Sequence, residues 1–295
     1  MKRAALVLIG IAAGGLTAGA QRFRSTAELV TIDVLVTDGR TPIAGLTAAD
    51  FELADNGVLQ RVDQLYVEQL PVNVVMVLDT SGSVRGERLT SLKAGATSVI
   101  DRLRPRDRAA LVTFSHRLDL RAELTADAAA LRRSVSALDA HGGTALRDGA
   151  FAALALRGAE ATRTLVLLFS DGLDTASILG EDRVMEVARR SDAIVYAIGI
   201  REEPRGSGGR VPFDTAATDD RFLNRLARET AGRLLHAERN RDIERVFTRV
   251  LEEFNSRYVL GYAPHGVPSG GWHRVDVRVK KRSATVLARR GYFAD

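Results

Sequence analysis

Asp79, Ser81 and Ser83 place one carboxylate and two hydroxyls at alternate positions directly after the apolar run Val74-Val75-Met76-Val77-Leu78. Such hard oxygen donors suit a hard cation such as Mg²⁺, which takes near-octahedral oxygen ligands at about 2.1 Å and keeps some of its water. The three side chains converge on one ion only if the chain turns back after the strand, and Gly82 permits that turn. The same residues also make an ordinary Asp-Ser-Gly turn. Two later segments could complete the set. His141-Gly142-Gly143-Thr144 opens a helix, where Thr144 is also well placed as the N-cap. Phe169-Ser170-Asp171-Gly172 ends an apolar strand in a carboxylate, and it also reads as a strand-terminating turn. The three segments together are far more specific than any one of them.

The elements that must position these residues alternate between strand and helix over residues 72–255. Continuous apolar runs at Asn73–Leu78, Thr164–Phe169 and Ile194–Ile200 read as strands covered on both faces. Ala109–Phe114 is a further strand, Leu118–Leu124 an edge strand, and Leu234–His236 a short one. Helical spacing marks 89–103, 128–138, 146–156, 182–190, 221–230 and 243–254. This order predicts an α/β domain with a doubly wound, mostly parallel sheet. Ligands on such sheets sit at the carboxyl ends of the strands, where Asp79 falls. The segment Glu202–Thr218, with Pro204, Gly206, Gly208, Gly209 and Pro212, interrupts the pattern as a long loop.

The flanks read as β structure. Residues 28–37, 51–57 and 60–67 on one side, and 257–262, 272–279 and 284–288 on the other, are strand-like, with turn signals at Asp38-Gly39 and Asn56-Gly57. Neither flank, 21–71 or 256–295, has the mass to fold easily alone. The expected organisation is therefore one small β domain built from both flanks, with the α/β domain inserted into it.

Asp79-x-Ser81-x-Ser83, followed by Thr144 and Asp171 in Gly-Gly-Thr and Ser-Asp-Gly contexts, resembles the metal-ion-dependent adhesion site of von Willebrand factor type A domains. The resemblance covers roughly residues 72–255. The flanking segments Val34–Arg40, Asp50–Glu52, Arg257–Tyr262 and Arg290–Tyr292 are similar to those of secreted bacterial proteins called VWFA-related, of the acidobacterial type. The resemblance implies that Ser81, Ser83 and Thr144 ligate the ion through hydroxyls, and that Asp79 and Asp171 act directly or through water. The ion would be Mg²⁺, with Mn²⁺ or Ca²⁺ as substitutes. Few directly bound carboxylates leave such a cation under-neutralised, so an acidic side chain of a partner protein can complete the octahedron. Arg85 sits beside the site as an attractor of acidic partners or as a solvated loop residue, and Asp174 as a further acid or a helix N-terminal residue.

Bulk composition narrows the function classes. The 295 residues are 45% hydrophobic and 27% charged, with a net charge of +5. Basic residues are interspersed with acids, as in Arg102–Arg108, and no basic stripe with stacking aromatics is present, so nucleic acid is not an expected partner. Met1-Lys2-Arg3, an uncharged small and apolar stretch from Ala4 to Thr17, and Ala18-Gly19-Ala20 have the layout of a signal peptide over residues 1–20. The expected destination is the periplasm or the exterior, with no membrane span left after cleavage. The chain has no cysteine, which removes both a thiol nucleophile and disulfide staples. Zinc-protease spacing, a nucleophile elbow and a phosphate-binding glycine loop are all missing. The expected role is thus a metal-dependent protein-binding or adhesion module and not an enzyme. The alternatives are a hydrolase using the same ion and a structural envelope protein with a vestigial site.

Overall fold

The computed structural model describes residues 29–67, 70–156, 163–170, 174–200, 216–281 and 283–294, with side chains omitted at 216–219. The expected signal peptide, Asp171 and most of the segment 202–218 lie outside the described residues.

The chain begins in β structure with β1 (Val30–Asp38), β2 (Thr41–Pro42), β3 (Phe51–Asp55), β4 (Val58–Gln60) and β5 (Gln64–Val67). It then alternates through β6 (Val72–Asp79), α1 (Glu87–Ile100), β7 (Arg108–Phe114), β8 (Leu118–Thr125), α2 (Ala128–Ser136), α3 (Leu146–Ala155), β9 (Arg163–Phe169), α4 (Glu181–Arg190), β10 (Ile194–Ile200), α5 (Ala216–Glu229), β11 (Leu234–Ala237) and α6 (Ile243–Asn255). It closes with β12 (Tyr258–Tyr262), β13 (Gly271–Val279), β14 (Thr285–Ala288) and β15 (Gly291–Ala294).

The central sheet has the order β11-β10-β9-β6-β7-β8, parallel except for the antiparallel edge strand β8. Every residue of β6 is buried. Because successive strand side chains point to opposite faces, Val74, Met76 and Leu78 pack with α1 and α6, while Val75 and Val77 pack with α3, α4 and α5. The connection after β6 runs to α1 on one face, and α4, which follows β9, lies on the other. The carboxyl ends of β6 and β9 therefore flank the point where the winding reverses, the place where open α/β sheets hold ligands.

Strands from before and after this unit pair with each other. β1 lies between β14 and β12, β12 also pairs with β5, and β13 lies between β15 and β3. Their shared core comprises Ile32, Val34, Val36, Phe51, Leu53, Tyr258, Leu260 and Tyr262, among others. The sequence pattern over Gln60–Val67 predicted one returning strand, but there are two. β4 stays with β3, and β5 crosses to pair with β12. The break falls at residues 61–63, where the Asp63 N–H is drawn to the Gly261 carbonyl and the Gln60 amide is satisfied by His265. The helix expected from Arg221 starts earlier, at Ala216, taking in the end of the segment expected to be a loop. Its Ala-Ala-Thr-Asp-Asp start combines good helix formers with acids at the positive end of the helix dipole.

Two buried polar networks fix the β part internally and against the α/β part. In the first, Asp55 accepts from the hydroxyls of Tyr262 and Tyr292, both at 2.9 Å, and lies 2.8 Å from His273 Nδ1. In the second, Arg257 is fully buried and reaches the Tyr196 hydroxyl at 3.2 Å and the Asp33 carboxylate at 3.6 Å. Arg163, the first residue of β9, donates from Nε to the same carboxylate at 3.1 Å and from Nη2 to the Phe254 carbonyl at 3.1 Å. The Tyr196 hydroxyl in turn donates to Glu253 at 2.9 Å.

Burial pushes the Tyr262 and Tyr292 phenols up, and the adjacent Asp55 carboxylate adds to the effect. Tyr292 rises from 10.0 to about 12. A phenol raised on folding stabilises the fold fully below its unfolded value and loses that contribution as pH climbs towards its folded value. Wild type is expected to lose stability between pH 10 and about 12. In urea melts of Tyr292→Phe, the fall over that window should be shallower; an unchanged slope would show that the phenol does not titrate this way.

Candidate metal centre

Asp79 is the last residue of β6 and is fully buried. One carboxylate oxygen accepts the Ser81 N–H at 2.8 Å, and the other accepts the Ser170 hydroxyl at 2.9 Å. Ser170 follows the end of β9, so the neighbouring strand end supplies this second bond. The turn after β6 is a short 3-10 helix, Gly82–Val84, which brings the Ser81 and Ser83 hydroxyls to 2.8 Å from each other. Neighbouring ligands on an octahedron of 2.1 Å radius lie about 3.0 Å apart. The two hydroxyls hydrogen-bond to each other, at a separation that adjacent ligands of one small cation would also have.

The second segment docks directly on the first. Gly82 donates its N–H to the Gly142 carbonyl at 2.9 Å, and His141 donates its N–H to the Thr80 carbonyl at 2.8 Å. Arg85 donates from Nε to the Ala140 carbonyl at 3.0 Å, so it ties the two loops together and is more than a solvated loop residue. Gly142 sits at φ +76°, and a Cβ there would come within 2.1 Å of His116 Nδ1. Both the backbone conformation and the space demand glycine. His116 and His141 rings stack edge-on at 5.6 Å at this rim.

Thr144 is buried beside these loops, but it does not cap the helix as its position suggests. The N-cap of α3 is Ala145, which offers no side-chain bond. The cap comes instead from the loop after β9. Asp174 accepts the Arg147 N–H at 2.9 Å, and Ser177 Oγ accepts the N–H groups of Arg147 and Asp148 at 3.0 and 3.2 Å. Asp174 is therefore the external cap of α3, not the first residue of its own helix, since α4 begins at Glu181. The orphan donors of Arg147 and Asp148 are met without the Thr144 hydroxyl, and the Thr144 carbonyl holds the same loop through the N–H groups of Thr175 and Ala176.

Asp79, Ser81, Ser83 and Thr144 thus lie on loops that are hydrogen-bonded to one another at one edge of the sheet. Asp171 lies outside the described residues. Ser170 was not singled out from the sequence as an orienting group; its place beside Asp171 at a strand end was the available signal. Ser177 gave none, because its helix contacts lie about thirty positions away. The donor set of carboxylate and hydroxyl oxygens fits a hard divalent cation and would serve a soft thiolate-seeking metal poorly.

Comparison with known proteins agrees with this geometry. The family model for the von Willebrand factor type A domain matches residues 74–173. The chain carries a von Willebrand factor type A domain. An uncharacterized protein of Synechocystis sp. is 35% identical over 108 residues, covering 35% of this chain and 26% of that protein. The chain spans 18% to 26% of the length of the curated relatives it matches. A von Willebrand factor type A structure from Catenulispora acidiphila superposes over 92% of this chain and 75% of its own, with a TM-score of 0.53 and 16% identity. Proximal thread matrix protein 1 of the mussel byssus, with a zinc-occupied MIDAS motif, superposes over 68% of this chain and 50% of its own, with a TM-score of 0.54 and 17% identity. At these identities the likeness is one of fold. Among the described residues of the type A domain and its flanks, no helix is long and apolar enough to cross a membrane.

Burial would raise the Asp174 carboxyl, but hydrogen bonds from Arg147 and Ser177 outweigh it and hold the group below its ordinary value of 3.8. A carboxyl depressed on folding stabilises the fold above its unfolded value and stops doing so as pH falls through the lowered one. Asp174→Ala is expected to cost about 1–2 kcal/mol at pH 7, the worth of a helix cap with a charged acceptor. Denaturation of wild type and variant should show that difference constant down to pH 5 and shrinking below 3.8.

Proposed function

We propose that the type A domain is a metal-ion-dependent protein-binding module of an exported bacterial protein. Asp79, Ser81, Ser83, Thr144 and Asp171 would hold a divalent cation, Mg²⁺ or in its place Mn²⁺ or Ca²⁺. The observation that carries this reading is the pair of hydroxyls 2.8 Å apart beside a buried carboxylate, with Thr144 relieved of capping duty. When bound, the ion supplies an electrophilic coordination position that an acidic side chain of a partner can fill. Asp79 is turned by Ser170 and by its own loop N–H so that it orients the site.

Binding, not turnover, is the role proposed for these residues. The hydroxyls that a hydrolase would use as nucleophiles point at each other at 2.8 Å. No paired base is placed against them by a described hydrogen bond. A partner protein presenting Glu or Asp, in the periplasm or outside the cell, is the proposed ligand; nucleic acid is not. The mussel matrix protein with zinc in its MIDAS motif supports metal binding at this position of the fold, and adhesion follows from it here as a proposal.

Titration calorimetry tests the centre directly. Wild type should bind Mg²⁺ or Mn²⁺ at one site. Asp79→Ala should abolish that binding, and Ser81→Ala should weaken it by about tenfold, as expected for loss of one neutral oxygen ligand worth roughly 1.4 kcal/mol. Retention of full metal affinity by Asp79→Ala would remove the basis for the reading.

A further inference from the structure

β11 ends the central sheet, and among the described residues no strand pairs with its outer edge. Its register with β10 is unbroken over four pairs, from Ala197 opposite Leu234 to Ile200 opposite Ala237. The Ala197 N–H donates to the Arg233 carbonyl at 2.9 Å. In a parallel ladder entered that way, Leu235 turns its backbone groups inward to β10, and Leu234 and His236 turn theirs outward. The outward groups recur about 6.6 Å apart, the two-residue repeat of an extended strand. No described residue hydrogen-bonds to them. Sheet edges are usually guarded against strand addition by charges, prolines or bulges. The opposite edge strand, β8, is guarded: it carries Asp119, Arg121 and Glu123, and its register against β7 shifts twice. β11 has no Asp, Glu, Lys, Arg or Pro, and no register shift.

A cleft of about 580 Å³ adjoins this edge. Leu234, Leu235 and His236 line it, together with Arg245 and Arg249 of α6 and Arg40 from the turn between β1 and β2. With Arg233 the lining holds four arginines, against two acids, Glu238 and Asp242. Asp242 is already met by Arg239 and Arg245 at 3.3 and 3.1 Å, and Arg233 by Glu253 at 3.3 Å. Arg40 and Arg249 are exposed and have no charge partner among the described residues. Glu238 offsets one of them, so the cleft keeps a net positive charge on side chains that the fold does not use.

We propose that this edge is a second protein-binding surface, which takes an extended acidic segment of a partner as a further strand on β11. The backbone groups of Leu234 and His236 supply the pairing, the main-chain mode of peptide recognition at sheet edges. Side chains of an added strand alternate between the two faces of the sheet. Those on the α6 face come beside Arg249, so Glu or Asp at every second position meets the charge of the cleft. A small anion would use the arginines and leave the outward backbone groups unpaired; a neutral strand would do the reverse. β10 and β9 stand between this edge and β6, which carries Asp79. The surface needs no cation and is independent of the proposed metal centre.

The test uses the full chain with chelator present throughout, so that the metal centre makes no contribution. The probe is a fluorescent heptapeptide of alternating Glu and Val. One control replaces each Glu by Lys; a second methylates every peptide nitrogen, which removes the strand's donors and keeps its charge. Anisotropy should show both controls binding wild type more weakly than the probe, by about tenfold. The double variant Arg40→Glu with Arg249→Glu, which alters two exposed side chains, should lose the preference for Glu over Lys. Amide exchange followed by NMR should slow at Leu234 and His236 when the probe is bound, and change little at Leu235. Equal binding of the methylated peptide, or unchanged exchange at Leu234 and His236, means charge attraction without strand addition and overturns the proposal. So does an absence of binding, or an acid preference that survives the charge reversal. None of these outcomes bears on Mg²⁺ binding, which calorimetry reads separately.

Discussion

A carboxylate with no exposed surface, at the end of a strand covered on both faces, is the constraint that organises this protein. Asp79 occupies that position, and a buried charge is tolerated only where hydrogen bonds or a cation compensate it. The compensation dictates much of the surrounding architecture. Ser81 must turn back so that its N–H reaches one carboxylate oxygen, and Ser170 must stand at the end of the adjacent strand to reach the other. That requires β6 and β9 to be neighbours in register, which they are. The 141–144 loop then closes over the turn, and glycine at 82 and 142 lets the two backbones meet.

The same economy governs the helix that opens beside Thr144. A threonine just before a helix would ordinarily spend its hydroxyl on the first turn. Here Asp174 and Ser177 meet those donors from another loop, so one set of bonds both caps α3 and fixes the loop after β9. A ligand-binding edge needs polar groups that are not consumed by the fold, and capping from outside is a physical route to them.

Support from below is also charged. Asp33 on β1 faces Arg163 and Arg257, and Arg257 in turn meets Tyr196 on β10. Buried ion pairs of this kind add little net stability over apolar packing, yet losing one partner is costly. Their effect is to fix one orientation of the sheet on the β part. Strand pairing does the rest: β12, entered directly from α6, lies between β1 and β5.

Residues alone were enough for the class of fold, because strands buried on both faces must be apolar throughout and helices packed on one side must repeat at 3.6 residues. They also made Asp79, Ser81, Ser83, Thr144 and Asp171 legible as candidate ligands, since hydroxyl and carboxylate side chains at strand ends and helix starts stand out chemically; the structure describes the first four on hydrogen-bonded loops. The division of 60–67 into two strands was not legible, because it turns on which distant partner, β3 or β12, claims each half. Nor was the true cap of α3, because Asp174 lies 27 residues from the N–H it accepts. The sequence by itself determined which groups have the oxygen chemistry of candidate ion ligands. Only the tertiary structure decided which of them the fold leaves unspent, because hydrogen-bond partners far apart in the chain become neighbours only when the sheet assembles.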